Sequence, residues 1–169
     1  MPVGDIRIDD RQVMAALRRL QRRGADMTPA FNSVGRVLKS RIQLGYRTQT
    51  DPYGRAWEPL KTRRGKALRD RGNLRDAWDY RASGDQVEIM NNRTVSSAGG
   101  RFSLAAIHHF GATIKPRNPD GVLLFPVGGE IRAAKQVTIP ARKQIPDAGL
   151  PDDWRGDVFR VIERHFARG

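Results

Sequence analysis

The sequence predicts an α+β fold with an N-terminal helical hairpin and a C-terminal helix packed on a mostly antiparallel β-sheet made of hairpins. Three observations predict it. Apolar residues recur at helical spacing near both ends of the chain, apolar and polar residues alternate in its middle, and glycine-containing turns separate the alternating runs. A length of 169 residues fits one domain, and no domain-sized linker interrupts it, so a single domain is expected over residues 1–169.

Three helices follow from the periodicity. The first lies between an aspartate cap at 9–10 and a glycine stop at Gly24. The second begins at Thr28, as a cap before a first-turn proline, and keeps one apolar face to about Tyr46. The third occupies about 152–167, after an aspartate cap. The first two helices are expected to form the hairpin.

Two β-hairpins are predicted in the middle of the chain. Residues 74–82 alternate, turn at Ser83-Gly84-Asp85 and return through Val87 to Ile89. The stretch "VLLFPVGGEIRAAKQVTIPAR" alternates around Gly128-Gly129, and its strands are expected to join the sheet of the first hairpin. Between the hairpins, 102–110 is compatible with a short helix closed by Gly111.

A long basic loop is predicted at about 47–72, where periodicity disappears. Six of the eleven residues from Lys61 to Arg71 are basic. Two interpretations stay open: a solvated loop, or an interaction loop that contacts a phosphate backbone or an acidic protein surface. The candidate interaction residues are Asp51, Tyr53, Gly54, Trp57, Lys61, Arg63, Arg64, Lys66, Arg69 and Arg71. Tyr53 and Trp57, presented by a turn, either anchor an interface or fasten the loop to its own core.

The charge balance bears on partners and on location. A net charge of +13 favours a polyanionic partner, so a nucleic-acid-binding module is the alternative function, and its binding would weaken steeply with salt. No run of apolar residues is long enough to cross a membrane, and the N-terminus lacks the pattern of a signal peptide, so no membrane contact is expected. The absence of cysteine excludes disulfides and thiolate metal sites.

Adjacent histidines at His108 and His109 are the first place to look for chemistry. Neighbouring side chains point in different directions on a helix or strand, and the only other histidine is His165, so the spacing argues against a metal site. No serine lies in a G-x-S-x-G elbow, and no phosphate-binding loop is complete. We therefore expect no enzyme, no metal and no cofactor, and interpret the pair as packing and hydrogen-bonding residues before a turn at Gly111.

Four segments in order carry a family resemblance: "DPYGRAWEPLK", "LRDRGNLRDAW", "AAIHHFGA" and "VTIPAR". Together they resemble the phage virion morphogenesis proteins, Mu-like and related tail completion proteins of tailed phages, over about residues 5–145. The resemblance implies structural roles for the matching residues Gly72, Leu74, His108, His109, Phe110, Gly111, Pro140, Ala141 and Arg142. Pro140 ends a strand, and Arg142 is expected to project from the sheet margin. The chain departs from the family pattern at Lys143-Gln144-Ile145.

The resemblance also implies a function. It points to a non-enzymatic assembly protein acting in tail completion and head-to-tail joining, in a virion neck or at the head-proximal tail end. The implied partners are other phage neck and tail proteins and further copies of the chain, in a ring around the DNA passage for which a hexamer is one form. DNA contact stays open. Assembly would take place in the bacterial host cytoplasm.

Overall fold

The computed structural model describes residues 21–22, 24–61, 63–97 and 100–167. Most of the first predicted helix lies outside these residues. Gly24 and Ala25 are helical, so the predicted stop at Gly24 comes too early. The helices and strands found in the described part confirm the mixed α+β class, with helices near both ends and antiparallel hairpins between them.

The long helix α1 spans Thr28–Thr48 and buries one face. Its start differs from the predicted cap at Thr28. Thr28 already lies in the helix, and its backbone N–H donates to the Asp26 carboxylate at 3.0 Å. The helix ends at Gln49, whose N–H donates to the carbonyl of Gly45. Its left-handed backbone (φ 62°) turns the chain so that the N–H of Thr50 donates to the same carbonyl at 3.2 Å.

The first hairpin is formed by β1 (Trp78–Ala82) and β2 (Val87–Asn91), paired antiparallel. The prediction that the strand begins at residue 74 is wrong. Asn73–Asp76 instead form a short helix, α2, because the N–H groups of Asp76 and Ala77 bond carbonyls four residues earlier. This helical turn places Leu74 in the core.

A second hairpin, which the sequence did not predict, pairs β3 (Thr94–Ser97) with β4 (Gly100–Ser103). The helix α3 then runs over Leu104–Phe110, shorter at its start than the predicted 102–110. Its cap is the Ser103 hydroxyl, which accepts the backbone N–H of Ala106 at 3.2 Å.

The remaining strands correct one expectation. β6 (Leu123–Val127) and β7 (Glu130–Ala134) form the predicted hairpin, but β8 (Val137–Ile139) leaves it and pairs with β5 (Ala112–Ile114). Within the described ranges, each of the four strand pairs is its own two-stranded sheet, so the expectation of one shared sheet is wrong.

Packing of α1 joins the first hairpin to the C-terminal helix. It lies on β1 and β2 and against the C-terminal helix α4 (Asp152–Ala167). A Cβ atom at Gly35 would lie 2.2 Å from the ring of Tyr80, so only glycine permits this approach of helix and strand. The Arg41 guanidinium reaches Asp153 on α4 at 2.8 Å. Among the described residues, no helix has the length and apolar character needed to cross a membrane.

Tyr46 occupies the centre of the core and is fully buried. Its hydroxyl donates to Gln144 Oε1 at 2.7 Å and accepts from Trp78 Nε1 at 3.0 Å. Its ring meets the edge of Trp57, with ring centroids 5.4 Å apart. Burial raises the pKa of Tyr46 above its ordinary value, so the hydroxyl stays protonated and donates. One side chain therefore ties α1 to β1 and to the segment after β8.

We expect Tyr46→Phe to lower the free energy of unfolding by about 1–3 kcal/mol, because it leaves the Trp78 N–H and the Gln144 oxygen buried without their partner. Urea unfolding followed by tryptophan fluorescence measures the change. Tyr80→Phe, at a half-buried ring on β1, is the matched control and should cost less than about 0.5 kcal/mol. Equal losses in the two variants would contradict the role assigned to the Tyr46 hydroxyl.

Candidate functional site

The segments "DPYGRAWEPLK", "AAIHHFGA" and "VTIPAR" are joined by hydrogen bonds. Trp57 Nε1 donates to the carbonyl of Lys143 at 2.9 Å, directly after the last segment. The Arg142 backbone N–H donates to the carbonyl of His108 at 2.7 Å, and its Nε donates to the carbonyl of Glu58 at 2.8 Å. The segment "LRDRGNLRDAW" joins them through Leu74 and Trp78 in the same core cluster.

Arg142 does not project from the sheet margin as expected; it is buried. Its guanidinium turns toward 58–59, where Nη2 also reaches the carbonyl of Pro59 at 3.4 Å. Burial lowers the pKa of Arg142, and the nearby Glu58 carboxylate opposes that shift. The strand end at Pro140 thus directs this arginine inward, where it fastens the basic loop to the rest of the fold.

Gly111 marks the place where α3 passes β8. It has φ 76°, and a Cβ atom there would lie 2.9 Å from the carbonyl oxygen of Ile139 and 3.0 Å from the backbone nitrogen of Ala141. Any other residue would push the two segments apart. The preceding Phe110 is 74% exposed, with its ring 4.6 Å from that of His109.

His109 is buried and hydrogen-bonded. Its Nδ1 accepts the backbone N–H of Gln144 at 3.2 Å. Burial lowers the pKa of His109, aided by Lys143 and opposed by Asp147. The ring is therefore neutral near pH 7.

His108 has a different environment. Its Nδ1 is buried and has no hydrogen-bond partner in the described part of the chain. Burial lowers the pKa of His108, and the positive charge of Arg142 adds to the effect. The two histidines are thus structurally distinct, and no group of three or more metal-binding side chains occurs among the residues described.

The turn that presents Tyr53 and Trp57 begins at Asp51. The Asp51 carboxylate accepts the backbone N–H groups of Tyr53 and Arg55, both at 2.9 Å. Trp57 is buried in the core, whereas Tyr53 lies at the surface, where its hydroxyl accepts the N–H of Ala148 at 2.9 Å. Both rings fasten the loop to the protein, with Tyr53 also exposed to solvent.

The basic run presents its charges to solvent. All six cations are exposed, as is Gly54. Lys61 pairs with Glu58 at 2.7 Å, and Lys66 donates to the carbonyl of Arg47 at 2.8 Å, near the end of α1. Beneath them, Gln49 forms two hydrogen bonds with the backbone of Ala67. Hydrogen bonds thus hold the basic run to the rest of the protein, while its charged side chains stay accessible to solvent.

The loop and the histidine segment meet at one cleft of about 440 Å³. Four arginines among the described residues line it. Arg63 and Arg71 come from the loop, Arg93 from the connection before β3, and Arg142 from the segment after β8. Leucine side chains form much of the remaining lining, together with Gly72 and His108. The cleft therefore combines apolar walls with several cations, an arrangement suited to non-covalent binding of an anionic partner.

Three residues of this region were not predicted. In the sequence, Gln144 stands out only as a departure from a family pattern. In the structure its side chain amide donates to the carbonyl of Ala105 at 3.1 Å, and its oxygen accepts from the buried Tyr46 hydroxyl. Gln49 and Arg93 carried no pattern at all. A polar residue between the apolar stretches around 137–145 was the one available signal for Gln144.

We expect the free energy of unfolding to fall as the pH drops below about 6.5, because the unfolded histidine takes up a proton that the buried His109 resists. The stabilisation that comes from neutral His109 is fully present at a pH above the pKa of this histidine in the unfolded chain. It is lost as the pH falls toward the lower pKa of His109 in the folded protein. His109→Asn keeps an acceptor near the Nδ1 position and should flatten the profile between about pH 8 and pH 5, above the range of the carboxylates. Unfolding by urea at each pH measures the slope. The lowered pKa of His108 leaves a residual slope in this variant. An unchanged profile in His109→Asn would contradict the assignment.

No significant match to the chain is found among curated proteins or among solved structures. The model of the phage virion morphogenesis family matches residues 8–167, nearly the whole chain and all four of the segments that resembled it. The chain therefore belongs to the phage virion morphogenesis family.

Proposed function

We propose that this protein completes the tail and joins it to the head of a tailed phage or prophage, as a structural component of the neck or of the head-proximal tail end. The single observation that carries the proposal is the family match over residues 8–167. Membership supports a role in virion assembly and association with the virion. The proposal places that role in tail completion and head joining.

The structure supports an assembly role through the use it makes of the family segments. Their hydrogen bonds and buried side chains serve packing: Trp57, Leu74 and Trp78 lie in the core, and Arg142 bonds backbone carbonyls. Among the polar side chains of these segments, His109 and Arg142 are bonded to backbone groups of other segments. Among the residues that the structure describes, the basic cleft and the hairpin β6–β7 are the surfaces we propose for partners.

We further propose that copies of the chain associate with one another in a ring through the hairpin β6–β7. By its register, Leu124, Pro126, Ile131 and Ala133 share one face, and all four are exposed. Leu124 and Ile131 are 69% and 70% exposed. An isolated two-stranded hairpin is marginally stable in water, so an apolar face of this kind gains from being covered.

The distribution of charge favours a second copy of the chain as the partner that covers the apolar face of this hairpin. The chain carries +13 overall, and like-charged copies repel. Over Leu123–Ala134, however, the only charged residues are Glu130 and Arg132, which form an ion pair at 3.7 Å, so the hairpin has no net charge. In a ring, the hairpin of one copy contacts a different surface of the next copy, so only one side of each contact brings excess positive charge. Such head-to-tail contacts form a ring when the rotation between copies closes.

We expect deletion of the gene to leave filled heads and separate tails, because the junction between them would be incomplete. Electron microscopy of the lysate and a titre of infectious particles measure the effect. Expression of the intact gene in trans is the control and should restore joined particles. Normal infectious particles from the deletion would contradict the proposed function.

We expect Leu124→Ser combined with Ile131→Ser to weaken self-association by at least about tenfold, because two apolar side chains would no longer be buried between copies. Sedimentation velocity over a range of protein concentrations measures the effect. Phe159→Ser removes another exposed apolar side chain, on α4, and should associate as the unchanged protein does. A protein that stays monomeric without substitution, or a double variant that associates normally, would contradict this interface.

A further inference from the structure

We propose that the cleft between the basic loop and α3 binds an acidic segment of a partner virion protein, one in which carboxylate side chains alternate with leucine-like side chains. This proposal rests on the proposed function, and it names the chemistry of the partner. It is carried by the juxtaposition of a leucine-lined cavity with three exposed arginines that form no ion pair among the described residues.

The charges in the cleft are unbalanced. Arg63, Arg71, Arg93 and Arg142 line it, against one aspartate, Asp70, among the described residues. Within the part of the chain that the structure describes, Arg63, Arg71 and Arg93 form no ion pair, and each is exposed. A guanidinium binds a carboxylate through two parallel N–H bonds, which makes unpaired arginines at a cavity rim suitable for Asp or Glu side chains.

The walls of the cleft are largely apolar, so they favour an occupant that also has apolar side chains. Leu60, Leu68 and Leu104 are half-buried, Leu74 is buried, and all four line the cavity. A volume of about 440 Å³ is enough for several side chains of a bound segment. Apolar side chains of the partner would remove this leucine surface from water, while its carboxylates would reach the arginines at the rim.

The same lining disfavours nucleic acid as the occupant. Proteins that bind single strands stack bases on aromatic rings, and no Phe, Tyr or Trp is among the described residues lining the cleft. A duplex instead presents its phosphates on a convex surface, which would contact the rim arginines and leave the leucine walls uncovered. The cavity shape and lining therefore favour an acidic protein segment.

The test is a binding measurement by fluorescence anisotropy on the full chain. The probes are a short labelled peptide of alternating Glu and Leu, the same peptide with Gln for Glu, one with Ser for Leu, and a labelled DNA duplex. The Glu-Leu peptide should bind, and each replacement peptide should bind at least about tenfold more weakly. The duplex should not displace the Glu-Leu peptide at physiological salt.

The variants Arg71→Gln and Arg93→Gln should each weaken binding of the Glu-Leu peptide by about tenfold, because each removes a charge-assisted pair. Arg117→Gln, at an exposed arginine outside the cleft lining, is the matched control and should bind within about twofold of the unchanged protein. Thermal unfolding of each variant checks that the fold is intact. We expect it to be intact, because all the substituted positions are exposed.

Three results would overturn the proposal: equal binding of the Glu and Gln peptides, unchanged binding by Arg71→Gln and Arg93→Gln, or displacement of the peptide by DNA. The last would assign the cleft to nucleic acid. Failure here is distinguishable from failure of the proposed function. If the cleft binds no acidic peptide, deletion of the gene still separates heads from tails; if deletion leaves normal particles, peptide binding is unaffected.

Discussion

The hydrogen bonds of the Tyr46 hydroxyl join the separate parts of this fold. It donates to Gln144 and accepts from Trp78, so the long helix, the first hairpin and the segment after β8 share one buried atom. Gln144 extends the network to His109 and to the carbonyl of Ala105. Because buried polar groups are costly when unpaired, each member of this network constrains the position of the others. The first hairpin, α3 and the segment after β8, which share no sheet in the described part of the chain, are thereby held in position relative to α1.

A second set of contacts makes a defined surface of the basic loop, which has no regular structure. Trp57 and Arg142 fix its first half, Gln49 holds the backbone at Ala67, and the α2 turn buries Leu74 at its end. The loop is attached at these points while its charged side chains stay exposed. An irregular segment anchored in this way presents a reproducible arrangement of cations without the cost of ordering the whole loop on binding. A surface of this kind suits the assembly role that family membership indicates.

Much of the fold was predictable because its signals are local. Helical periodicity identified α1 and α4, and the turn residues at 83–85 and 128–129 identified two hairpins. The errors arose where a tertiary contact outweighs a local pattern. Residues 74–76 alternate like a strand but form a helical turn that buries Leu74, and β8 pairs with β5 rather than with its neighbour β7. The sequence did not predict the cleft. Arg63 and Arg71 are candidates only as members of an interaction loop, and Arg93 comes from a connection that carries no recognisable motif.

The sequence by itself determined the α+β class, the positive charge, the absence of thiol chemistry and, through four ordered segments, the family. These properties depend on composition and on short-range pattern. Only the tertiary structure decided that Arg142 turns inward, that Trp57 belongs to the core and that His108 and His109 differ in their hydrogen bonding. The direction of a side chain at the end of a strand or helix depends on which distant carbonyls and rings lie within reach. That information arises from packing between segments far apart in the chain, and no local pattern contains it.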